Sequence, residues 1–274
     1  YTDATMSGPF GTVYSAAAGG NWNTAATWKL DAAGTQAGFV PTGNVNTIIQ
    51  GSPVVVNATA RARNLTIGPA GQLTHNAGIG LTVTGNMLIE SSAAGTGSYI
   101  QNGTLSVTGT TQAQRWVTGN WEGGWPNTST LWHYISSPVT SATIATFTGS
   151  LLNHWSEPLE QWVVDTLPLT LPLTPGMGFS LAKAAPDGIV TFSGGPFNNN
   201  SNYVIPVTRN SAGSFAGWNL IGNPFPCAVD WDLMTRSNVS GAVYTWSASS
   251  KNYKSYSGGV GSLTDGIIPA EQGF

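Results

Sequence analysis

The chain has 274 residues, a net charge of -3, and only 8% charged residues against a hydrophobic fraction of 41%. That length holds one large β domain or two smaller ones with proper cores. The low charge, with 11 Trp and 35 Gly, excludes the charge-rich, aromatic-poor composition of disordered chains. Basic residues cluster nowhere beyond Arg61 and Arg63, so nucleic acid is not expected as a partner. No apolar run approaches the roughly 18 residues of a membrane helix, and no membrane insertion is expected. The single cysteine, Cys227, allows no internal disulfide.

Thr, Val, Ile and aromatics suit strands, and Gly, Asn and Pro suit turns, so the expected fold class is all-β. Residues 1–110 read as an N-terminal β domain. Its runs include Thr47-Ile48-Ile49, Val54-Val55-Val56, Leu65-Thr66-Ile67, Leu81-Thr82-Val83, Met87-Leu88-Ile89 and Leu105-Ser106-Val107. Several alternate apolar and polar residues, as half-buried strands do. Two arrangements fit: a few turns of a parallel β-helix, or an antiparallel sandwich. Short strands with Gly and Asn corners favour the helix.

Residues 111–131, with Gly119-Asn120-Trp121-Glu122-Gly123-Gly124-Trp125-Pro126, read as a connector. From Trp132 to Phe274 the chain reads as a duplicated, β-sandwich-like region with units 132–217 and 218–274. The motif Trp132-His133-Tyr134-Ile135-Ser136-Ser137-Pro138 returns as Trp218-Asn219-Leu220-Ile221-Gly222-Asn223-Pro224. Trp132, Ile135 and Pro138 match Trp218, Ile221 and Pro224. Asn153-His154-Trp155-Ser156 answers Tyr244-Thr245-Trp246-Ser247, and Pro175-Gly176-Met177-Gly178-Phe179 answers Pro269-Ala270-Glu271-Gln272-Gly273-Phe274.

After Phe179 the first copy continues through Ile189–Phe192 and Tyr203–Val207, two runs that the second copy lacks. The second unit is therefore expected to be incomplete. An unfinished sheet exposes an edge, and a second copy of the chain is expected to fill it by strand addition, with residues 1–14 as donor. A homo-oligomer, filamentous where the contact does not close into a ring, follows from that.

Gly20-Asn21-Trp22 with Thr27-Trp28, and Gly217-Trp218-Asn219-Leu220-Ile221-Gly222-Asn223-Pro224-Phe225-Pro226 with Ile268-Pro269-Ala270-Glu271-Gln272-Gly273-Phe274, resemble segments of large secreted proteins of the Bacteroidota. Those proteins are exported by type IX secretion and are mostly surface or adhesive proteins. The resemblance implies an extracellular or cell-surface location, a β-helix-like start, and a separate sorting domain that these residues do not include. Such a domain is expected to have been cleaved after export or to lie outside a partial chain. The start at Tyr1 without Met is expected to be a processed end. Asp165-Thr166-Leu167 matches the short O-glycosylation pattern of that bacterial group and marks Thr166.

Chemistry-bearing motifs are sparse. His75, His133 and His154 form no zinc motif, and no cofactor is expected. Asp230 and Asp232 are read as turn caps in preference to calcium ligands, and Glu157 and Glu160 as loop charges in preference to an acid/base pair. The aromatics are the candidates for binding. Trp116, Trp121, Trp125, Trp155 and Trp162 are candidates for a sugar-stacking platform. Trp132, Trp155, Trp218 and Trp246 occupy matching repeat positions and are expected in the core, so that Trp218→Ala costs roughly 3–5 kcal/mol. That leaves Trp121 and Trp125 as ligand-stacking candidates, with glycans as the ligand class. The expected function is a non-enzymatic extracellular structural protein, a self-assembling surface-fibre or adhesin subunit. The alternatives are a carbohydrate-binding module and a glycan-degrading enzyme on a β-helix.

Overall fold

In a computed structural model, the structure describes residues 11–31, 33–124, 126–165, 168–199, 202–210 and 213–274. Trp125, Thr166 and residues 1–10 lie outside the described residues. The fold is all-β. Its helical content among the described residues is three 3-10 turns, at Ala25–Thr27, Ile144–Phe147 and Trp231–Leu233. None is long and apolar enough to cross a membrane. The chain divides into two compact units, residues 1–90 with 94–111, and residues 91–93 with 112–274.

The first unit contains β1 (Thr12–Ser15), β2 (Gly20–Asn21), β3 (Trp28–Lys29), β4 (Asn46–Ile49), β5 (Val54–Val56), β6 (Ala60–Ala62), β7 (Leu65–Ile67), β8 (Gln72–His75), β9 (Gly80–Val83) and β10 (Met87–Ile89). After β11 (Ser91–Ser92), which belongs to the second unit, and the short β12 (Gly95–Thr96) come β13 (Ser98–Gln101) and β14 (Thr104–Val107). Strands stack in parallel as β1-β4-β7-β10, β2-β5-β8-β13 and β6-β9-β14. Consecutive strands fall in successive stacks, so this is a three-sided parallel β-helix and not the sandwich.

The alternation read in the sequence sets which residues point inward. Ile49, Ile67 and Ile89 stack in register on one side, and Val54, Leu73 and Tyr99 on the next; all are buried. One corner is held by an asparagine ladder. Asn64 donates from its amide to Asn46 Oδ1 (2.9 Å), and the backbone N–H of Asn86 donates to Asn64 Oδ1 (2.8 Å). The backbone N–H of Thr110 completes it by donating to Asn86 Oδ1 (2.9 Å).

The Gly-Asn-Trp start closes the first rung. Trp22 and Trp28 are buried and meet edge to face at 4.9 Å, and Trp28 Nε1 donates to the Trp22 carbonyl. A side chain at Gly19, whose φ is +66, would lie 2.2 Å from the Pro53 carbonyl oxygen.

The second unit contains β15 (Thr111–Val117), β16 (Trp132–Ile135), β17 (Leu151–Ser156), β18 (Gln161–Val164), β19 (Phe179–Ala182) and β20 (Gly188–Ser193). Then come β21 (Val229–Asp230), β22 (Val243–Ser247), β23 (Asn252–Ser257), β24 (Val260–Gly261) and β25 (Ile267–Ile268). The expected connector begins with a seven-residue strand, β15, which pairs antiparallel with β20. Its Gln, Ala and Arg residues hide the strand from composition. The register Ala113↔Phe192 buries the few apolar side chains it has.

Both copies of the repeat build the same parts. In the first, β16 pairs antiparallel with β19, placing Ile135 opposite Phe179. In the second, Ile221 and Phe274 exchange backbone N–H···O bonds of 2.9 and 2.8 Å. Each copy carries a hairpin with its aromatics opposite one another: Trp155↔Trp162 in β17–β18 and Trp246↔Tyr253 in β22–β23.

The copies also pair with each other about a pseudo-twofold. Ile135 is bridged to Gln272 and Ile221 to Met177. Ser136 N–H donates to the Glu271 carbonyl and Gly222 N–H to that of Gly176. Ser136 and Gly222, counterparts in sequence, face each other. A Cβ on Gly222 would lie 2.2 Å from Ser136 Oγ, so one of the pair must be glycine.

The runs after Phe179 add no strand to this sheet, although Tyr203 donates to the Pro175 carbonyl (2.6 Å) and, with Ile205, lies against Gly176. Ile189–Phe192 belongs to β20, and residues 203–207 form no strand. The sheet of the first copy, in the order β16-β19-β17-β18, is built without them. Part of the expected donor, residues 12–14, already lies in β1, paired to β3 and β4.

Candidate functional site

The repeated hairpins gather aromatic side chains on the second unit. Phe215 meets Trp155 at 6.1 Å, and Trp155 meets Trp162 at 5.5 Å. Trp162 then meets Tyr134 at 5.9 Å. From Tyr134 the ribbon continues to Trp246 (6.0 Å) and Tyr253 (6.1 Å), themselves 5.1 Å apart. Cross-strand pairing in each hairpin produces the two aromatic pairs. Tyr134 of β16 joins them and donates or accepts a 2.8 Å hydrogen bond with the Tyr253 hydroxyl. Burial, and then that hydroxyl, push the Tyr134 phenol well above its usual range, so it stays neutral.

Trp162, Tyr253 and Phe215 remain 42%, 46% and 55% exposed. The rings are not coplanar: Trp155 crosses Trp162 at 69° and Phe215 at 85°. The ribbon is therefore corrugated.

The expectation that four repeat tryptophans are core is corrected. Trp132, Trp155 and Trp246 are half-buried, and Trp218 is 50% exposed. The inward positions of the motif strands are taken by Ile135 and, less completely, Ile221. The Trp218 ring lies instead on Tyr244 at 5.0 Å, and its carbonyl accepts from Trp155 Nε1. Pro138 and Pro224 are buried at the ends of their motifs. Beside them Ser137 and Asn223 make the same turn, each side chain accepting from the N–H two residues on.

Trp121 lies at a separate recess on this unit. A cavity of about 590 Å³ is lined by Trp121, Glu122, Gly123, Gly149, Ser150, Ala184 and Ala185. The backbone of Trp121 is fixed by its N–H to the Lys183 carbonyl and its carbonyl from the Ala185 N–H. Trp125, its proposed companion, is outside the described residues, as is Thr166. Trp116 lies opposite Ile189 in the β15–β20 pair.

The histidines and several carboxylates have structural partners. His75 bonds Tyr99 and the Ile79 carbonyl, and His133 bonds Thr118 through both its hydroxyl and its carbonyl. Burial lowers the His133 imidazole to about 4. His154 pairs with Asp165 at 2.8 Å. Glu157 accepts from the backbone N–H groups of Asn210 and Gly217, and Glu160 from that of Phe215. These carboxylates therefore pin the segment that carries Phe215 onto the first hairpin. Asp230 caps the turn at Trp231–Leu233 by accepting from the Asp232 N–H. Among the described residues no group of three His, Cys, Asp or Glu is placed to hold a metal ion.

Residues 13–260 match the model of a family described as a domain of unknown function, DUF8693. The chain belongs to this family. The match spans the β-helix, both copies of the Trp-x-x-Ile motif and both hairpins. No curated protein and no solved structure matches the chain.

Tyr134, Tyr253 and Phe215 were not singled out by the sequence reading. The signal for Tyr253 was present: it follows Trp246 by seven residues, as Trp162 follows Trp155.

Proposed function

We propose that this chain is a non-enzymatic, extracellular adhesive protein that binds neutral glycans on the aromatic ribbon. The observation that carries the reading is the contiguous run of six rings with three of them well exposed. A sugar ring has an apolar C–H face and a rim of hydroxyls. Aromatic faces cover the first, and uncharged amides and hydroxyls satisfy the second. A patch of this kind on a low-charge surface marks an interaction site. Because the rings within each hairpin pair cross steeply, at 69° and 77°, the ribbon suits single sugar units of one flexible chain better than a flat polysaccharide layer. The Trp121 cavity offers a second aromatic wall within the size range of small-ligand sites. The extracellular setting rests on the resemblance to secreted Bacteroidota proteins.

A glycan array probed with the full chain tests the reading. Neutral glycans are expected to be retained by wild type, lost with Trp162→Ala, and recovered intact with no shorter products. Retention equal in both proteins, or glycan cleavage, would overturn it.

A second reading, a homo-oligomer or surface fibre formed by strand addition, is favoured by β18. It is the last strand of its sheet, and among the described residues none pairs with its outer edge. Its Val164 is 56% exposed. Light scattering on the full chain separates the two readings: a monomer that still binds glycan leaves only the first.

A further inference from the structure

Glu271 is a fully buried carboxylate with no hydrogen-bond partner on either oxygen. Its backbone is left-handed, with φ +54. Arg115 reaches it from β15, yet the guanidinium donates to the neighbours on each side, the Ala270 carbonyl (2.9 Å) and Gln272 Oε1 (3.1 Å). The segment around Glu271 clasps β16. The Glu271 carbonyl accepts from Ser136 N–H, while Gly273 N–H and Gln272 Nε2 both donate to the Tyr134 carbonyl, each at 3.0 Å. Tyr134 is the ring that joins the two aromatic pairs.

We propose that residues 271–274 form a latch beneath the aromatic ribbon, closed while Glu271 holds a proton and loosened when that proton leaves. An uncharged carboxyl can remain buried without a counter-ion, whereas a carboxylate there has lost its water and gained no donors. Opening returns it to solvent and releases the backbone that fixes Tyr134. The latch does not depend on what the ribbon binds.

Four side chains bear on the response. Burial pushes Glu271 up to about 8, with Arg115 pulling the other way. Cys227 is pushed up to about 11 by burial and then by Glu271, so it is neutral. His133, lowered to about 4 and within the field of Arg115, is neutral above that pH. Ser136 does not titrate.

The closed form keeps its proton to about pH 8, whereas the open form loses it from its ordinary value near 4.5. Opening therefore becomes easier as pH rises from about 4.5 to about 8, by about tenfold per unit, and levels off above.

Native-state hydrogen exchange between pH 5 and 8, corrected for intrinsic rates, reads this directly at the amides of Ser136, Gly273 and Phe274. Wild type is expected to lose protection by about tenfold per pH unit, and Glu271→Gln to show no such slope. If Glu271→Gln does not fold, Glu271→Gly keeps the left-handed backbone and serves the same comparison. A flat wild-type profile, or the same slope in the variants, would overturn the latch.

Discussion

At position 271 the two copies solve one backbone problem differently. The first copy meets the left-handed turn with Gly176, at φ +85, and the second with Glu271, at φ +54. A side chain in that region costs about 1–2 kcal/mol, and this one also buries a carboxyl group. Glu271→Gly is expected to stabilise the protein by about 1 kcal/mol or more, seen as a higher Tm at pH 8. A lower Tm would show that Glu271 makes a contact worth more than its strain. Trp218 and Trp231 make the opposite contrast. Trp231 is 4% exposed in a cluster with Val243, Tyr256, Ile268 and Phe274. Trp231→Ala should cost about 3–5 kcal/mol. Trp218→Ala should cost no more than about 1 kcal/mol, because half of its surface is already in water. Urea denaturation of both variants checks the ranking.

Among the elements, the parallel rungs depend on polar corners as much as on apolar stacks. Asn64 both donates to Asn46 and accepts from the Asn86 N–H. Asn64→Ala strands both neighbours and should destabilise the protein by about 1–3 kcal/mol. A change within error would mean that water replaces the ladder. The strands themselves were legible, since Leu65-Thr66-Ile67 and Leu81-Thr82-Val83 alternate as half-buried strands must. Their parallel pairing was one of two open choices, because alternation fixes which side chains turn inward and not which strand lies next. β15 was missed because Gln, Ala and Arg have weak strand preference and tertiary pairing with β20 supplies what propensity lacks. The tryptophans of the repeated motif were expected in the core and are not there. Trp recurs at 132 and 218 because both copies use the same surface position, and recurrence alone does not distinguish a buried ring from a displayed one.

At the scale of the whole molecule, the second unit is where two hairpins bring Trp155–Trp162 and Trp246–Tyr253 to either side of Tyr134. The ribbon was legible only in part. Trp155 and Trp162 could be nominated from composition, whereas Phe215 enters through a loop held by Glu157 and Glu160, a contact across more than 50 residues that no local pattern encodes. The most direct measurement is calorimetric titration of a neutral oligosaccharide, chosen from the array, into wild type and into the Trp162→Ala/Tyr253→Ala double variant. Both residues are more than two-fifths exposed, so the variant should keep the wild-type Tm to within a few degrees. The account predicts saturable binding by wild type and at least about a tenfold weaker Kd in the variant, a difference of about 1.4 kcal/mol. Equal affinity in the two proteins would contradict it.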